Sequence, residues 1–304
     1  MIVLGIESSH DDTSLAIVEN LNVKVYLKIS QIEIHKKYGG TIPEIASREH
    51  YQNFYVLLEE LKTKYDLNKI DYIAYTEKPG LIGALQMGQL FAHALSKALN
   101  KPLSPINHLD GHIYSVLLDN KNKITYPSIA LVVSGGHTNL YLLKNKDEKI
   151  LLGQTIDDAA GEVFDKVSRT LFNKFPGGPE IDKIFYENKN KNFSDYKLTN
   201  PKLENKYDFS FSGYKTQIIN KVKNENINKE LLAASFQKHI IDFIISKIKL
   251  AIDEYQPKSI ILSGGVSANK YLREEFIKLH KNALIPDFEY STDNGAMIAA
   301  VLFK

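Results

Sequence analysis

Apolar and polar residues occur in short alternating blocks at the start of each half of the chain. Residues 2–7 form an apolar run, residues 8–13 a polar segment, and residues 14–18 a second apolar run. Residues 129–143 repeat this order of apolar run, small polar turn and apolar run. Apolar runs separated by turn residues predict β-hairpins. The repetition predicts two related lobes, each of which begins with a hairpin.

Helical spacing of apolar residues follows the hairpin in each half. Pro43 occupies a favourable first helical position, and the apolar residues after it predict one buried helix face. This stripe comprises Ile45, Tyr51, Phe54, Leu57, Leu58 and Leu61. Further helices are predicted at 81–99, 157–172, 230–255, 268–281 and 293–303, and further strands at 72–75, around 105–106 and at 259–262. Strands that alternate with helices predict an α/β fold.

Breaks in these patterns indicate how the chain is organised. The segment 176–179, Pro-Gly-Gly-Pro, interrupts the helices, and a polar, lysine-rich stretch near 188–208 predicts an insertion or loop. No Gly/Ser-rich linker divides the halves, so we expect the lobes to touch with a cleft between them. We predict an N-terminal lobe over 1–112, joined by the C-terminal helix 293–304, and a C-terminal lobe over 113–292 that contains the insertion.

The composition narrows the class of protein. With 304 residues and a hydrophobic fraction of 43%, the chain can form one large or two ordinary domains with real cores. It has no apolar run of about 18 residues and no basic signal segment at its start, so we expect a cytoplasmic protein without a membrane segment. The net charge of +2 indicates nucleic-acid binding only weakly. Because cysteine is absent, a bound metal needs His, Asp or Glu ligands.

His108 and His112 are the leading candidate metal ligands. Four residues apart on a helix, their imidazoles lie on one face and can reach one cation. For the pair alone, two surface or structural histidines are the commoner explanation. Zinc peptidases with this spacing carry a glutamate base after the first histidine, and Leu109 stands there instead. The third ligand stays open at this point, with Asp110 and Asp293 among the available carboxylates.

Two serine-led glycine turns, residues 134–136 and 263–265, each follow an apolar strand. Glycine allows the backbone to approach a ligand closely, so such turns can direct amide groups at phosphate oxygens. The second turn also leads into a helix, whose N-terminus favours an anion. The alternative is a pair of ordinary tight turns. Neither turn is a Walker loop or a dinucleotide fingerprint, because the required residues are missing.

Acidic residues near these turns have both functional and structural explanations. Asp11 and Asp12 lie in the first hairpin turn, where they either hold a cation or water or simply cap the turn. Residues 157–158, Asp-Asp, predict a helix N-cap with an acidic first turn. Asp165 and Asp182 lie on either side of the break at 176–179, where each is a candidate to contact a ribose hydroxyl, although nothing in the local sequence requires that role. The segment 209–215 either presents aromatics and a lysine to nucleic acid or forms a buried strand and turn.

Nine short strings occur in order along the chain. They are residues 5–9 (GIESS), 39–48 (GGTIPEIASR), 107–112 (NHLDGH), 133–138 (VSGGHT), 157–166 (DDAAGEVFDK), 176–179 (PGGP), 209–215 (FSFSGYK), 264–269 (GGVSAN) and 292–297 (TDNGAM). With them the chain resembles, end to end, the universal transfer-RNA threonylcarbamoyladenosine synthase family, formerly labelled glycoprotease or sialoglycoprotein endopeptidase. That family belongs to the actin, Hsp70 and sugar-kinase fold group. The resemblance therefore implies two RNase H-like α/β lobes.

The resemblance also implies an activity and its site residues. The activity is transfer of the threonylcarbamoyl group of threonylcarbamoyl-AMP to the exocyclic amine of the position-37 adenosine, in tRNAs that read codons beginning with adenine. His108, His112 and Asp293 would bind one divalent metal ion, with Fe(II) favoured and Zn(II) compatible. Asp11 and Asp12 are the candidate catalytic residues, and ATP is an alternative ligand of the same cleft. The implied donor-binding residues are Val132, Val133, Ser134, Gly135, Gly136, Asp165, Gly178, Asp182 and Asn269.

The resemblance also implies partners for this chain and leaves alternative activities open. The resemblance implies tRNA and accessory subunits as partners: a non-catalytic paralogue and a small ATPase in the bacterial type, or a kinase-like subunit in the archaeal and eukaryotic type. A metallopeptidase or an ATP-dependent kinase of the same fold group is the alternative activity.

His10 replaces the family's usual cysteine, Asp12 its usual glutamate, and Lys78 the first glycine of a Gly-Pro-Gly loop. We interpret His10 as a replacement for a small polar residue rather than as a metal or phosphate contact.

Overall fold

The computed structural model describes residues 1–193, 196–223 and 227–304. Its contacts divide the chain into two compact units, Met1–Lys123 with Pro286–Lys304, and Ile124–Ile285. The first is called unit 1 and the second unit 2. The chain passes between them at residues 123–124 and 285–286, whereas the sequence prediction places the borders at 112–113 and 292–293.

Strands and helices alternate along the chain. The strands are β1 (Ile2–Glu7), β2 (Asp12–Glu19), β3 (Asn22–Ser30), β4 (Tyr72–Lys78), β5 (Leu103–Asn107), β6 (Ser128–Val133), β7 (Thr138–Leu143), β8 (Lys149–Gln154), β9 (Ser259–Ser263) and β10 (Ala283–Leu284). The α-helices are α1 (Ile32–Lys36), α2 (Pro43–Lys64), α3 (Ile82–Leu99), α4 (His108–Tyr114), α5 (Ala160–Phe172), α6 (Gly177–Asn188), α7 (Ser212–Val222), α8 (Lys229–Tyr255), α9 (Lys270–Ile277) and α10 (Gly295–Ala300). Short 3₁₀ helices cover Leu67–Lys69, Ser115–Asn120, Gly265–Ala268, Phe288–Tyr290 and Val301–Phe303.

The two units repeat one sheet topology. In unit 1 the strand order is β3-β2-β1-β4-β5, and in unit 2 it is β8-β7-β6-β9-β10. In both sheets the first three strands pair antiparallel and the last three pair parallel. The prediction of two related α/β lobes that each begin with a hairpin is therefore confirmed. Among the described residues, no helix is both long and apolar enough to cross a lipid bilayer.

Helices cover the sheet of unit 1, and the middle residues of its central strands β1, β2 and β4 are buried. Side chains such as Leu4 and Ile17 are fully buried, which removes apolar surface from water. Helix α2 contributes Phe54, Leu57 and Leu61 to this core at helical spacing. Helix α10 packs on β1 and β2. The C-terminal segment thus belongs to the unit that contains the N-terminus.

The inward face of α2 differs from the predicted stripe. Tyr51 is 73% exposed, whereas His50 and Asn53 are buried. His50 Nδ1 lies 2.7 Å from Thr13 Oγ1, and Asn53 Nδ2 donates to the same oxygen at 3.2 Å. The sheet offers these polar side chains a hydroxyl partner, so they take the inward positions. The prediction that Tyr51 belongs to the buried face of this helix is wrong, because a pattern of apolar residues carries no information about a hydroxyl partner on another element.

The helix predicted from residue 157 begins at Ala160 instead. Asp157 Oδ1 accepts hydrogen bonds from the backbone N–H groups of Phe211 at 2.7 Å and Ser212 at 3.3 Å. Its Oδ2 accepts from the hydroxyls of Ser210 at 2.5 Å and Ser212 at 2.8 Å. Although burial raises the pKa of Asp157, these bonds lower it below its ordinary value. Asp157 therefore caps the start of α7, and the prediction that it caps its own helix is wrong.

Other elements of the fold are missing from the sequence prediction. Strands β3 and β8 were not predicted, α6 begins inside the predicted Pro-Gly break, and α7 begins inside the segment 209–215. Phe209, Phe211 and Tyr214 of that segment are buried, so they cannot present aromatic rings to nucleic acid. Most of the predicted polar insertion near 188–208 has no strand or α-helix, and residues 194 and 195 within it lie outside the described residues.

Two predicted helices begin later than expected because asparagines cap them. The helix predicted over 268–281 is α9, and Asn269 Oδ1 accepts from Leu272 N at 3.0 Å. The final helix begins at Gly295, and Asn294 Oδ1 accepts from Met297 N at 2.8 Å. An asparagine cap satisfies a helix amide that has no partner within the helix.

Candidate functional site

The histidine pair of unit 1 lies on the short helix α4. Asn107 caps this helix, since its Oδ1 accepts from Leu109 N at 2.9 Å. His108 and His112 are buried, and their ring centroids are 4.7 Å apart in an edge-on arrangement. The prediction that both rings share one helix face therefore holds in the geometry. Neither ring nitrogen of His112 makes a hydrogen bond, although both are buried.

Close backbone packing brings Asp293 to this pair. A Cβ on Gly5 would lie 1.9 Å from the carbonyl oxygen of Gly295, so only glycine at position 5 lets α10 approach β1. Gly295 N also donates to Ser14 Oγ at 3.0 Å. Lys28 Nζ donates to the backbone oxygen of Asp293 at 3.0 Å. These contacts anchor the segment that precedes α10 beside the histidines.

One ring nitrogen of each histidine lies close to the same carboxylate oxygen of Asp293. Asp293 Oδ1 lies 3.2 Å from His112 Nε2 and 3.5 Å from His108 Nε2. Two ligands that are each about 2.1 Å from a cation, at an angle of about 109°, are about 3.4 Å apart. The spacing of these donor atoms therefore fits a divalent cation. Two imidazoles and a carboxylate suit Fe(II) or Zn(II).

Glu7, at the end of β1, supports this set and was not predicted. Its Oε2 lies 3.2 Å from His108 Nδ1 and accepts from Thr76 Oγ1 at 2.5 Å, while Oε1 accepts from Ser9 N at 2.5 Å. A carboxylate on Nδ1 fixes the ring and leaves Nε2 to face Asp293. The signal in the sequence was a charged residue at the end of an otherwise uncharged strand.

Around Asp293 and His108, neighbouring charges shift the pKa values in the direction opposite to burial. Burial raises the pKa of Asp293, but His108 and His112 outweigh this effect and hold it well below its ordinary value. Burial lowers the pKa of His108, but the carboxylates of Glu7 and Asp293 raise it overall to about 9. Burial lowers the pKa of His112. The carboxylates of Glu7 and Asp293 thus attract positive charge, and a metal would take the place of a proton.

His10 lies beside the set, in the turn between β1 and β2. Its Nδ1 is 3.8 Å from Asp293 Oδ2, and its ring centroid is 5.8 Å from that of His108. His10, His108 and Asp293 each offer a donor atom, and these three atoms lie within 4.8 Å of one another. Because His10 offers a donor atom to this group, its position differs from the one expected of a residue that only replaces a small polar side chain.

The two candidate catalytic aspartates differ in their surroundings. Asp12 Oδ2 lies 2.5 Å from Lys28 Nζ, so this carboxylate is engaged in an ion pair. Burial, followed by the nearby charges of Asp12 and Asp293, raises the pKa of Asp11 to about 6. Lys28, which was not predicted, joins β3 to Asp12 and to the segment that carries Asp293.

A separate cavity of about 720 Å³ lies within unit 2. Its size falls in the range of small-molecule sites. The predicted donor-binding residues that line it are Gly135, Asp165, Gly178, Asp182 and Asn269. Lining residues that were not predicted include Gly161, Phe164, Lys183, Tyr186, Val266 and Lys270.

Hydrogen bonds fix the acidic residues of this cavity. Asp165 Oδ1 accepts from Gly177 N at 2.6 Å. Asp182 Oδ1 accepts from Gln237 Nε2 at 2.8 Å, and Gln237 Oε1 in turn accepts from Asn269 Nδ2 at 3.0 Å. Burial raises the pKa of both aspartates. The buried Gln237 was missed because a glutamine in a long helix carries no local signal.

The remaining predicted donor-binding residues do not line the cavity. Val132 and Val133 are fully buried in β6. Ser134 Oγ accepts from His137 N at 3.1 Å and so closes the turn, and Gly136 is exposed. In the matching turn, Gly264 has φ 89° and a Cβ there would lie 2.4 Å from Val133 O. Both glycine turns therefore lie at strand ends of one sheet, as their sequence suggests.

Known proteins resemble this chain along its whole length. Residues 24–300 match a family model described as tRNA N6-adenosine threonylcarbamoyltransferase. Curated proteins of that name are 58% identical in Mycoplasmopsis synoviae, over 98% of this chain and 96% of the relative, and 57% identical in Mycoplasma mobile, over 100% and 98%. The relative in Thermosipho africanus is 44% identical over 100% of this chain and 94% of its own length.

Solved structures with low sequence identity share the fold. Full-length HypF in its phosphate- and nucleotide-bound form has a TM-score of 0.64 and 13% identity, and the match covers 99% of this chain and 46% of HypF. Component A of Acidaminococcus fermentans (R)-2-hydroxyglutaryl-CoA dehydratase has a TM-score of 0.56 and 13% identity, over 99% and 97%. At such identity these matches bear on the fold alone.

Proposed function

The chain belongs to the tRNA N6-adenosine threonylcarbamoyltransferase family, and we propose that it transfers the threonylcarbamoyl group of threonylcarbamoyl-AMP to the exocyclic amine of the position-37 adenosine of tRNA. The substrates would be tRNAs that read codons beginning with adenine. The observation that carries the proposal is the full-length match together with two buried histidines that face one partly exposed aspartate.

The proposed metal ligands are His108, His112 and Asp293. Their support is the donor spacing of 3.2 and 3.5 Å around Asp293 Oδ1. A divalent metal, Fe(II) or Zn(II), would supply Lewis acidity that polarises the carbamoyl carbonyl. Glu7 would hold the His108 ring through Nδ1, so that Nε2 stays available as a ligand.

The proposed site of the adenylate is the cavity of unit 2. Gly178 would allow close approach of the ligand, because nothing lies within 4 Å of a Cβ built there. Asp165 and Asp182 would accept hydrogen bonds from ribose hydroxyls, and Gln237 would keep the Asp182 carboxylate oriented. ATP would be an alternative ligand, since it shares the adenosine part.

In the transfer, the adenosine amine forms a bond to the carbamoyl carbon, the bond from that carbon to the phosphate oxygen breaks, and AMP leaves. The amine loses a proton in this step, so a base is required. Asp12 is engaged by Lys28 at 2.5 Å, and we therefore favour Asp11 as the base. Positioning and electrostatics would supply most of the rate.

Accessory proteins would act with this chain in the cytoplasm. For the bacterial type they are a non-catalytic paralogue and a small ATPase, and for the archaeal and eukaryotic type a kinase-like subunit. Reconstitution with threonylcarbamoyl-AMP, tRNA and these subunits tests the proposal. The expected result is modified adenosine and AMP in equal amounts. Peptide cleavage, or phosphate transfer to a small alcohol without modified tRNA, would indicate the metallopeptidase or kinase alternative instead.

A further inference from the structure

We propose that His10 is an additional protein ligand of the metal in unit 1, which binds together with His108 and Asp293. The inference rests on the proposed metal site and extends it from three protein ligands to four. It concerns a residue that stands where the family pattern usually has cysteine.

The position of the His10 backbone is fixed by its neighbours. Its carbonyl oxygen lies 2.8 Å from His50 Nε2, and the other nitrogen of His50 lies 2.7 Å from Thr13 Oγ1. Next to His10, Ser9 N donates to the carboxylate of Glu7 at 2.5 Å. Buried groups therefore hold the turn on both sides of His10, and its ring projects from a preorganised segment.

His10 Nδ1 lies 2.9 Å from Ser9 Oγ, so a metal at this nitrogen would take the place of the Ser9 hydroxyl. The ring makes no direct hydrogen bond to Asp293. Its Nδ1 is 3.8 Å from Asp293 Oδ2, which is too long for a hydrogen bond. Two ligands at about 2.1 Å from one cation can be as far as about 4.2 Å apart, so this separation fits a wide ligand angle. His108 and His112 approach the other oxygen, Oδ1. The carboxylate of Asp293 is thus placed between the α4 histidines and His10.

The consequence is a metal site with more nitrogen donors. Imidazole is a good ligand for iron, zinc and cobalt, and each bound imidazole fills a position that water or substrate would otherwise take. With four protein ligands, an octahedral metal keeps two open positions instead of three. The side chain of His10 is 29% exposed, so it forms the partly open edge of a set whose α4 histidines are buried.

Cobalt(II) binding to the full chain tests the proposal, because the absorption of bound cobalt reports its ligands. The protein is freed of metal with a chelator and titrated with Co(II). The variants are His10→Ala, His10→Cys and His112→Ala, and the control is His93→Ala, an exposed histidine on α3. Since the natural chain has no cysteine, the thiol of His10→Cys is the only one in the protein.

The proposal predicts that His10→Ala weakens Co(II) binding at least tenfold and changes the visible spectrum, while His93→Ala does neither. It also predicts a thiolate-to-cobalt charge-transfer band in His10→Cys, with tight binding retained. A dissociation constant and spectrum of His10→Ala equal to those of His93→Ala, with no such band in His10→Cys, would overturn it.

The two proposals fail in different ways in this experiment. If His112→Ala loses Co(II) and His10→Ala does not, the three-ligand site stands and the role of His10 is refuted. If His112→Ala binds as the wild type does while His10→Ala is weakened, His10 is a ligand and the proposed set is wrong at His112. If the wild type binds no Co(II) at all, both proposals fall.

Discussion

The contact between Gly5 and Gly295 gives a quantitative prediction for Gly5→Ala. The added Cβ would lie 1.9 Å from Gly295 O, 2.8 Å from Gly295 C and 3.0 Å from Ala299 N. Non-bonded heavy atoms normally stay about 3.5 Å apart, so α10 must move by more than about 1 Å. The obstacle is backbone, which cannot rotate away as a side chain can. We expect a loss at the upper end of about 1–3 kcal/mol in the free energy of unfolding.

The same displacement should weaken metal binding, because ligands must be held within about 0.5 Å of their productive positions. Co(II) affinity should therefore fall more than tenfold even under conditions where the variant is folded. Gly295→Ala, whose Cβ would lie 2.5 Å from Gly5 O, should show both effects and provides a second variant if Gly5→Ala does not fold.

Two matched glycine variants separate this steric effect from a general intolerance of alanine. Gly40→Ala has nothing within 4 Å of its Cβ and should change stability by less than about 0.5 kcal/mol. Gly111→Ala, between the two histidines, meets Ile298 Cδ1 at 2.9 Å. That methyl group can move, and alanine gains about 1 kcal/mol within a helix, so stability should stay near the wild-type value. Urea unfolding measures all four variants. Equal stability and equal Co(II) affinity in Gly5→Ala and Gly40→Ala would show that the contact between Gly5 and Gly295 does not hold α10 in place.

Three further predictions follow from contacts outside this pair of glycines. Glu7→Gln should lower Co(II) affinity about 10- to 100-fold without unfolding the protein, because His108 loses its charged partner; an unchanged affinity would argue against that role. Asp157→Ala should lower the free energy of unfolding by about 2 kcal/mol in urea, since the cap of α7 is lost, and an effect as small as that of the exposed Asp147→Ala would contradict this. Burial lowers the pKa of His35 below 6.5, so the unfolded chain binds the proton more readily and stability falls as the pH drops through 6.5. His35→Gln should flatten this dependence, and a slope equal to that of the wild type in urea unfolding at several pH values would show that His35 is not its source.

Local patterns were sufficient to predict the elements that consist of continuous apolar runs, such as the hairpins at the start of each unit. The spacing of His108 and His112 likewise predicted that both rings share one face of α4. Strand β3 was missed because its lysines and asparagine interrupt the apolar alternation, and one of them, Lys28, points to Asp12 and Asp293. Its polar character is explained by partners that are distant in the sequence.

The site could be predicted only partly for the same reason. Spacing brings His108 and His112 together, but Asp293 reaches them only because two glycine backbones touch, and no local pattern reports that contact. The family resemblance supplied Asp293, and it suggested no role for Glu7. Asp157 illustrates the converse error. Aspartate is a typical helix-capping residue, so Asp157 was assigned to the nearest helix, α5, although it caps the distant helix α7.

Metal-dependent transfer by this chain is tested most directly by measuring threonylcarbamoyladenosine in the tRNA of cells depleted of this protein. Mass spectrometry of tRNA nucleosides is performed after complementation with the wild type, with His112→Ala and with the exposed control His93→Ala, at equal protein levels. We expect that depletion removes the modified nucleoside, that the wild type and His93→Ala restore it, and that His112→Ala does not. Normal modification in cells that contain only His112→Ala would contradict metal-dependent transfer by this chain.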